Sequence, residues 1–415
     1  MHCPKARVLL AALVLSTAAT PSLAASWGSA DARILGMGGT GVASGSSANA
    51  ALNNPALLAE PAARDRFALS LPIGVRVADP DDLIDAVDDF SDAEPIDAFS
   101  SAIERFNSDT ANDDYANAAI DAGNDLIAHL RNLNGKRLQA EANGALVIGS
   151  SRERFGFSLY VDGYATGGTL SRVSEEDIDT IENIIDALEG IDVEVDDPTA
   201  SLSSSVEARF ATVVETGVAL ATRLESLGGI AVGVTPKYMQ VRSYDYSFDG
   251  DELDDVDIEL EDGERKDSDF NLDLGFAKEW DNGWVAGLAL RNVLAQKYQT
   301  VRGNTVKIEP QARLGIAHRG EMLTVALDVD LTENDTVGFG GGSTQHVMLG
   351  AEFDLLSTLR LRLGYRHNLG DVAPGEEEGV ASAGIGLRLL GVNLDAAAAG
   401  NSDEISAALR LGVSF

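Results

Sequence analysis

Four groups of residues in this chain could carry chemistry. The first is Gly36-Met37-Gly38-Gly39-Thr40-Gly41, which fits the G-x-G-x-x-G pattern of a dinucleotide-binding turn, with Glu60 about twenty residues further on, where that motif places an acid. Such a turn needs a strand before it and a helix after it in a parallel-sheet unit. Only Ser26 to Ile34 lie between the expected start of the mature chain and these glycines, and no strand–helix alternation follows. The glycines read instead as a small-residue segment suited to a tight space, because a residue without Cβ allows close backbone approach and positive φ. The second group is the histidines His129, His318, His346 and His367. None pairs with another at i, i+4, and neither H-E-x-x-H nor G-x-S-x-G occurs, so His129 in a loop and His318 at a strand end read as solvated or interfacial side chains, and the chain is expected not to be an enzyme. The third is the acid-rich run 249–264, DGDELDDVDIELEDGE. It does not follow EF-hand spacing, which leaves a solvated, self-repelling loop or loose cation binding that bridges lipopolysaccharide phosphates. No metal site and no cofactor are expected.

The fourth group sets charge inside alternating segments. Arg313, Arg360, Arg362, Arg366, Arg388 and Arg410 fall on the polar face of such segments, as do Asp269, Asp273, Asp328, Asp330, Glu352 and Asp354. They could pair across neighbouring strands or line a polar path.

The elements that must position these residues are strands. Period-two alternation dominates the sequence. At the C-terminus Ile405, Ala407, Leu409, Leu411, Val413 and Phe415 oppose Glu404, Ser406, Ala408, Arg410, Gly412 and Ser414. About fourteen such segments run from 67–77 to 404–415, an even number that suits a bacterial barrel. Alternation alone does not separate a soluble sandwich from a membrane barrel, but connection lengths do. Very short links such as Asp281-Asn282 and Gly320-Glu321 alternate with long ones at 78–142, 165–206, 249–268, 292–310, 332–345 and 368–379. All long loops therefore sit at one end, as in outer-membrane barrels with short periplasmic turns. Acidic runs lie in those loops, while Trp280 and Trp284 flank a tight turn at the opposite end, where an interfacial aromatic belt would sit.

Two loops carry helical signals. Ser174-Glu175-Glu176-Asp177 resembles a capping box ahead of Ile178, Ile181, Ile184, Ile185 and Leu188, and residues 80–132 repeat the pattern through Leu83, Ile84, Val87, Phe90, Leu126, Ile127 and Leu130. They could form a helical lid packed on itself or a lipophilic landing site.

Composition agrees. Lys5 and Arg7 precede an apolar run from Val8 to Ala19 and a small-residue site at Ser22-Leu23-Ala24, so residues 1–24 read as a secretory signal peptide. The single cysteine, Cys3, leaves with it, which excludes disulfides and thiol chemistry in the mature chain. A net charge of −35 argues against nucleic acid as a direct partner, because phosphate binding needs a basic footprint.

A glycine-rich N-terminal segment ending in Asn54-Pro55-Ala56, then about fourteen strands and a terminal Phe415, resembles the FadL/TodX family of outer-membrane transporters for hydrophobic compounds. That resemblance implies a luminal hatch whose Asn54, Pro55 and Ala56 lie by a ligand site. A closer likeness spans nearly the whole mature chain. Asp31-Ala32-Arg33, Asn54-Pro55-Ala56-Leu57-Leu58, Asp81-Asp82-Leu83-Ile84-Asp85, Gly233-Val234-Thr235-Pro236-Lys237-Tyr238, Glu309-Pro310-Gln311-Ala312-Arg313 and Gly364-Tyr365-Arg366-His367-Asn368 resemble the conjugal-transfer TraF-type barrel family. The thioredoxin-like protein of the same name is a different one, which the lack of mature cysteines rules out.

The expectation is an all-β transmembrane antiparallel barrel in the Gram-negative outer membrane, with a plug over 25–66 and the barrel over 67–415. Its partners would be outer-membrane lipid and lipopolysaccharide, barrel-assembly machinery reading Phe415, and a hydrophobic small molecule. The expected function is passive uptake of that molecule. The alternative is a structural or accessory envelope protein of plasmid conjugation without transport.

Overall fold

The alternating segments close on themselves. In a computed structural model, which describes residues 30–59, 67–152, 154–189, 194–249, 263–335, 343–356, 358–371 and 378–414, fourteen antiparallel strands form one barrel. They are β1 (Ala68–Ala78), β2 (Arg137–Ser151), β3 (Phe155–Arg172), β4 (Ser205–Leu224), β5 (Ile230–Asp249), β6 (Glu264–Glu279), β7 (Trp284–Arg291), β10 (Gln311–Arg319), β11 (Leu323–Asp330), β14 (His346–Leu355), β15 (Leu359–Asn368), β16 (Gly379–Leu389), β17 (Val392–Gly400) and β18 (Glu404–Ser414). The remaining strands form two small hairpins outside the ladder, β8 (Gln296–Gln299) with β9 (Thr305–Ile308) and β12 (Asn334–Asp335) with β13 (Ser343–Thr344). Closure comes from β1 pairing with β18, where Ala68 lies opposite Ser414 and Ala78 opposite Glu404. It removes every free edge, which is the condition for crossing a hydrocarbon layer with strands. The signal peptide, the core of the acidic run at 250–262 and Phe415 lie outside the described residues.

The apolar face points outward. Ile73, Phe157, Leu159, Leu220, Leu363 and Leu409 are all exposed, while Arg362, Lys237 and Glu215 on the opposite face are buried. A soluble sandwich would have the reverse arrangement. The wall is uneven in height. Strands β7, β10 and β11 have 8, 9 and 8 residues, about the number a tilted strand needs to span a bilayer. Strands β4 and β5 have 20 each, β3 has 18 and β6 has 16, so this side stands well above the lipid as a tall wall.

That height explains where the sequence-based boundaries fall short. Strand β2 begins at Arg137 rather than near 143, and β3 runs to Arg172 rather than to 164. Beyond the lipid, neither face needs to be apolar, so the alternation fades while the ladder continues. The segment 292–310 is likewise more than a loop, because it carries the β8–β9 hairpin.

The helical signals form one unit over the outer end. Helices α3 (Leu83–Ala93), α4 (Pro95–Ser108), α5 (Asp113–Leu133) and α6 (Glu175–Leu188) share a core built on Phe99, Ile103, Phe106, Leu126, Ile181 and Ile185, so the lid packs on itself. (Two short helices lie earlier in the chain, α1 at Ala32–Gly36 and α2 at Ala50–Asn53.) His129 belongs to α5 rather than to a loop, with its ring edge-on to Phe90 at 6.1 Å. The expected capping box is half formed. Ser174 Oγ accepts from Glu176 N at 3.2 Å, but Asp177 turns away to accept from the backbone and hydroxyls of Ser203 and Ser204.

Candidate functional site: the luminal segment and the barrel mouth

Residues 30–59 lie inside the barrel. They contact inward-facing residues on both sides of the ring: α1 touches β15 to β18, and the 3-10 turn Pro55–Ala59 touches β2 to β6. What lets a chain fit there is the absence of Cβ atoms along the inner wall. A Cβ on Gly364 would stand 2.6 Å from Gly38 Cα, and one on Gly350 would stand 2.6 Å from Thr40 Oγ1. One on Gly384 would stand 3.2 Å from Gly36 Cα. In the segment itself Gly38 and Gly39 have φ of 70° and 97°, so this part of the former G-x-G-x-x-G requires glycine for its turn.

Asn54, Pro55 and Ala56 come together against β5, β6 and β7. All three are buried, and Asn54 has no exposed surface. Its Nδ2 donates to Val42 O at 2.8 Å and to Phe276 O at 3.1 Å, while its Oδ1 accepts from Ala56 N at 3.1 Å. One side chain thereby ties two limbs of the segment to the barrel backbone. Glycines open the wall here too: Cβ atoms on Gly233 and Gly275 would lie 2.5 and 2.8 Å from Ala56 N.

The other end is held by charge. Arg33 meets Glu352 of β14 at 2.9 Å, and Glu352 meets Arg362 of β15 at 2.6 Å. Arg362 meets Asp395 of β17 at 2.7 Å, and Asp395 meets Arg410 of β18 at 2.7 Å. Arg410 reaches Asp31 at 3.1 Å, and Asp31 Oδ1 caps α1 by accepting from Arg33 N at 2.8 Å. Six alternating charges thus close a neutral buried ring, with two members in the luminal segment and four on the wall. Asp328 adds a separate anchor, accepting from Gly41 N at 2.8 Å and Val42 N at 2.9 Å. Sequence reading placed Arg362, Arg410, Glu352 and Asp328 on the inner face and left pairing open. The structure pairs the first three, sets Asp328 on two backbone N–H groups instead, and adds the pairs Arg313–Asp330 at 2.6 Å and Arg366–Glu404 at 2.6 Å. It adds Asp31, Arg33 and Asp395, which alternation could not single out, because the first two lie outside any strand.

Above Asn54 the inner wall carries a second cluster. Lys237 lies 3.1 Å from Glu215 and 3.0 Å from Asp273, and Arg291 lies 3.5 Å from Glu215 and 3.6 Å from Asp162. Higher still, hairpin β8–β9 folds back over the mouth. Its Tyr298, Val306 and Ile308 bury against Tyr164, Val213, Met239 and Val241 of the tall wall. Beside α1, a luminal cleft lined by Arg76, Glu141, Asn143, Arg366, Ser382 and Ser406 has a volume of about 30 Å³. That is about one water's share of liquid, against the roughly 150 Å³ of a cavity that holds benzene. None of Asn54, Pro55 and Ala56 lines it.

A family model described as "F plasmid transfer operon, TraF, protein" matches residues 51–330. The chain belongs to that family. No curated protein matches it. Among solved structures, this TraF-family barrel is similar to the Pseudomonas putida toluene transporter TodX, with 11% identity, a TM-score of 0.51, and coverage of 92% of this chain and 98% of that one. It is similar to a TodX deltaS2S3 mutant described as a monoaromatic hydrocarbon channel, with 11% identity, a TM-score of 0.53 and the same coverage. A Pseudomonas aeruginosa FadL homologue follows at 9% identity and a TM-score of 0.51, covering 93% and 98%. The fold is that of the FadL/TodX barrels, which are channels and transporters rather than enzymes.

Proposed function

We propose that this protein resides in the Gram-negative outer membrane and admits small hydrophobic molecules passively. One observation carries the reading. The other apolar clusters of the inner face are covered by the luminal segment, whereas the one that β3 to β5 present at the mouth is covered by the hairpin β8–β9. A solute that leaves water needs such a surface. The neighbouring TodX structures, described as hydrocarbon channels, support the same direction. In this reading the solute enters over the tall wall, moves down past the Lys237 cluster, and passes Asn54-Pro55-Ala56 once that tip shifts. The ion ring holds α1 and with it the opposite side of the lumen, so the path follows β3 to β7. The apolar outer band contacts lipid, lipopolysaccharide surrounds the tall wall, and Phe415 serves as the signal to barrel-assembly machinery. The protein performs no catalysis.

The test is entry of toluene into proteoliposomes carrying the full barrel, compared with empty vesicles and with a barrel lacking residues 36–59. Faster entry with the full barrel, altered by the deletion, is expected. Equal rates in all three would overturn the reading.

A second reading has its own support. The ring of six charges fixes α1 to four strands, which suits a rigid envelope component, and the family is described by plasmid transfer. In that case the protein is an accessory of conjugation, with its acidic helical lid as contact surface. Normal mating frequency in a deletion strain, with no envelope protein co-purifying, would sink it.

A further inference from the structure

The tall wall has an outer face as well as a luminal one, and above the lipid that face carries little charge. The ladders from β3 to β6 keep one register throughout, so inward and outward residues alternate strictly. Lys237, Met239 and Val241 are buried toward the lumen, which turns Tyr238, Gln240, Arg242, Tyr244, Tyr246 and Phe248 outward. Opposite them on β6, Phe270, Ser268, Lys266 and Glu264 face the same way. The acids Asp245, Asp267 and Asp269 fall on the inner face instead. On β3 and β4 the outward positions at this height, from Gly163 to Thr169 and from Phe210 to Thr216, are small, apolar or hydroxyl residues. Among the described residues of this upper outer face, three are charged: Arg242, Lys266 and Glu264.

Their height is that of a lipid head group. From Ile230 and Lys278 at the short-turn end up to Tyr238 and Phe270, each strand runs about nine residues, the length of a tilted span. The rings of Tyr238 and Phe270 lie 5.2 Å apart at that upper edge, where a barrel carries its aromatic girdle. Arg242 and Lys266 lie four residues higher, directly opposite each other, with side chains 41% and 63% exposed. Like charges so placed cost stability. One carboxylate holds both: Glu264 lies 3.2 Å from Arg242 and 2.6 Å from Lys266, and it accepts from Tyr244 OH at 2.9 Å. Two cations against one anion leave a local surplus of positive charge, in a chain whose net charge is −35. Beyond them Phe210, Tyr244 and Tyr246 stand in a row, with centroids 5.0 and 6.4 Å apart, a surface of apolar ring bodies with two hydroxyl tips.

We infer that Arg242 and Lys266 bind the phosphorylated sugar head of a lipopolysaccharide molecule whose acyl chains lie on the apolar band below. A phosphate oxygen accepts charge-assisted hydrogen bonds from the guanidinium and the ammonium. Glu264 keeps the two donors at a fixed spacing, and the row of rings backs the sugars. The inference rests on the outer-membrane location proposed above and not on solute uptake. Unlike bridging through the acidic loop, it needs no divalent cation.

The experiment titrates the full barrel in detergent with deep-rough lipopolysaccharide, in EDTA, and reads the bound fraction by native mass spectrometry. EDTA removes divalent bridges. Three variants are compared: Arg242→Gln with Lys266→Gln, which removes the pair; Lys297→Gln with Arg302→Gln, which removes the same charge from exposed positions of hairpin β8–β9; and Lys266→Arg, which keeps the charge. Heat-modifiable migration checks that each is a closed barrel. Loss of the pair should weaken binding at least about tenfold, the scale of hydrogen bonds to a charged group. The hairpin variant and Lys266→Arg should bind as wild type does. The glycolipid stripped of its phosphates should bind wild type as weakly as the intact one binds the double variant. Unchanged affinity in the double variant, an equal loss in the hairpin variant, or no binding by wild type in EDTA would overturn the site. So would equal binding of phosphatidylglycerol, which has the phosphate without the sugar. Fractionation of expressing cells tests location separately: a barrel outside the outer membrane that still binds through Arg242 and Lys266 would sink the location and leave the site standing.

Discussion

Arg410 of the last strand lies 3.1 Å from Asp31, the residue that caps the first helix, across 379 positions of sequence. The contact completes the charge ring that joins α1 to β14, β15, β17 and β18. Buried charges of this kind are worth little against an apolar substitute but are costly to leave half-paired.

Replacing Arg362, which is 1% exposed, with alanine should therefore destabilise the barrel by about 3–5 kcal/mol, because it strands Glu352 and Asp395. The urea midpoint of the heat-modifiable form measures this. A double-mutant cycle on Arg33 and Glu352 should show strong coupling, and additive losses would refute the ring as an energetic unit.

Asp328→Ala removes a carboxylate that accepts two backbone N–H groups and should cost about 2–3 kcal/mol, the scale of a hydrogen bond to a charged group. Exchange of the Gly41 and Val42 amides should speed up selectively. Uniform acceleration across the barrel would point to a different cause.

Gly364→Val should leave no room for Gly38, so residues 30–59 should lose protection from protease while the barrel still forms. A fully protected segment in this variant would contradict the packing described.

The helical lid should loosen in acid. Asp177 accepts hydrogen bonds from Ser203 and Ser204, and these hold its carboxyl below the ordinary value of 3.8 even though partial burial pushes the other way. A folded value below the unfolded one means the contribution is complete above pH 3.8 and is lost as pH falls through the lowered value. Proteolysis of the lid at low pH should rise in wild type, and Asp177→Ala should show the same sensitivity already at neutral pH.

The β16–β17 turn offers a gain. Leu390 and Gly391 are the only two residues between paired Leu389 and Val392, with φ of 52° and 88°, the conformation in which Asn-Gly is preferred. Leu390→Asn should stabilise by about 1 kcal/mol, by relieving a left-handed leucine. An unchanged or lowered urea midpoint would count against that turn geometry.

How much of this was legible beforehand follows from physics. Strands within the lipid, such as Leu359–Asn368, declared themselves because one face must be apolar and the other may be polar. Above the lipid that pressure lapses, and the upper parts of β2 and β3 went unread. The hairpin Gln296–Ile308 was hidden for a related reason, since strands of four residues carry too little pattern to register. Inward arginines were visible as residues out of place on alternating segments. Asp31, the partner of Arg410, and Arg33, the partner of Glu352, were not, because a short helix in a lumen has no periodicity of its own. Asn54 was noticed through its family likeness, yet its hydrogen bond to Val42 requires the folded chain.

The charge ring also has an order in time. Asp31 and Arg33 are made first, whereas Asp395 and Arg410 belong to the final two strands. Until those strands arrive, Asp31 has no cationic partner on the wall and the ring stays open. Seating of the N-terminal segment is therefore a report of completion, and a chain truncated after Gly400 should carry that segment exposed and open to proteolysis.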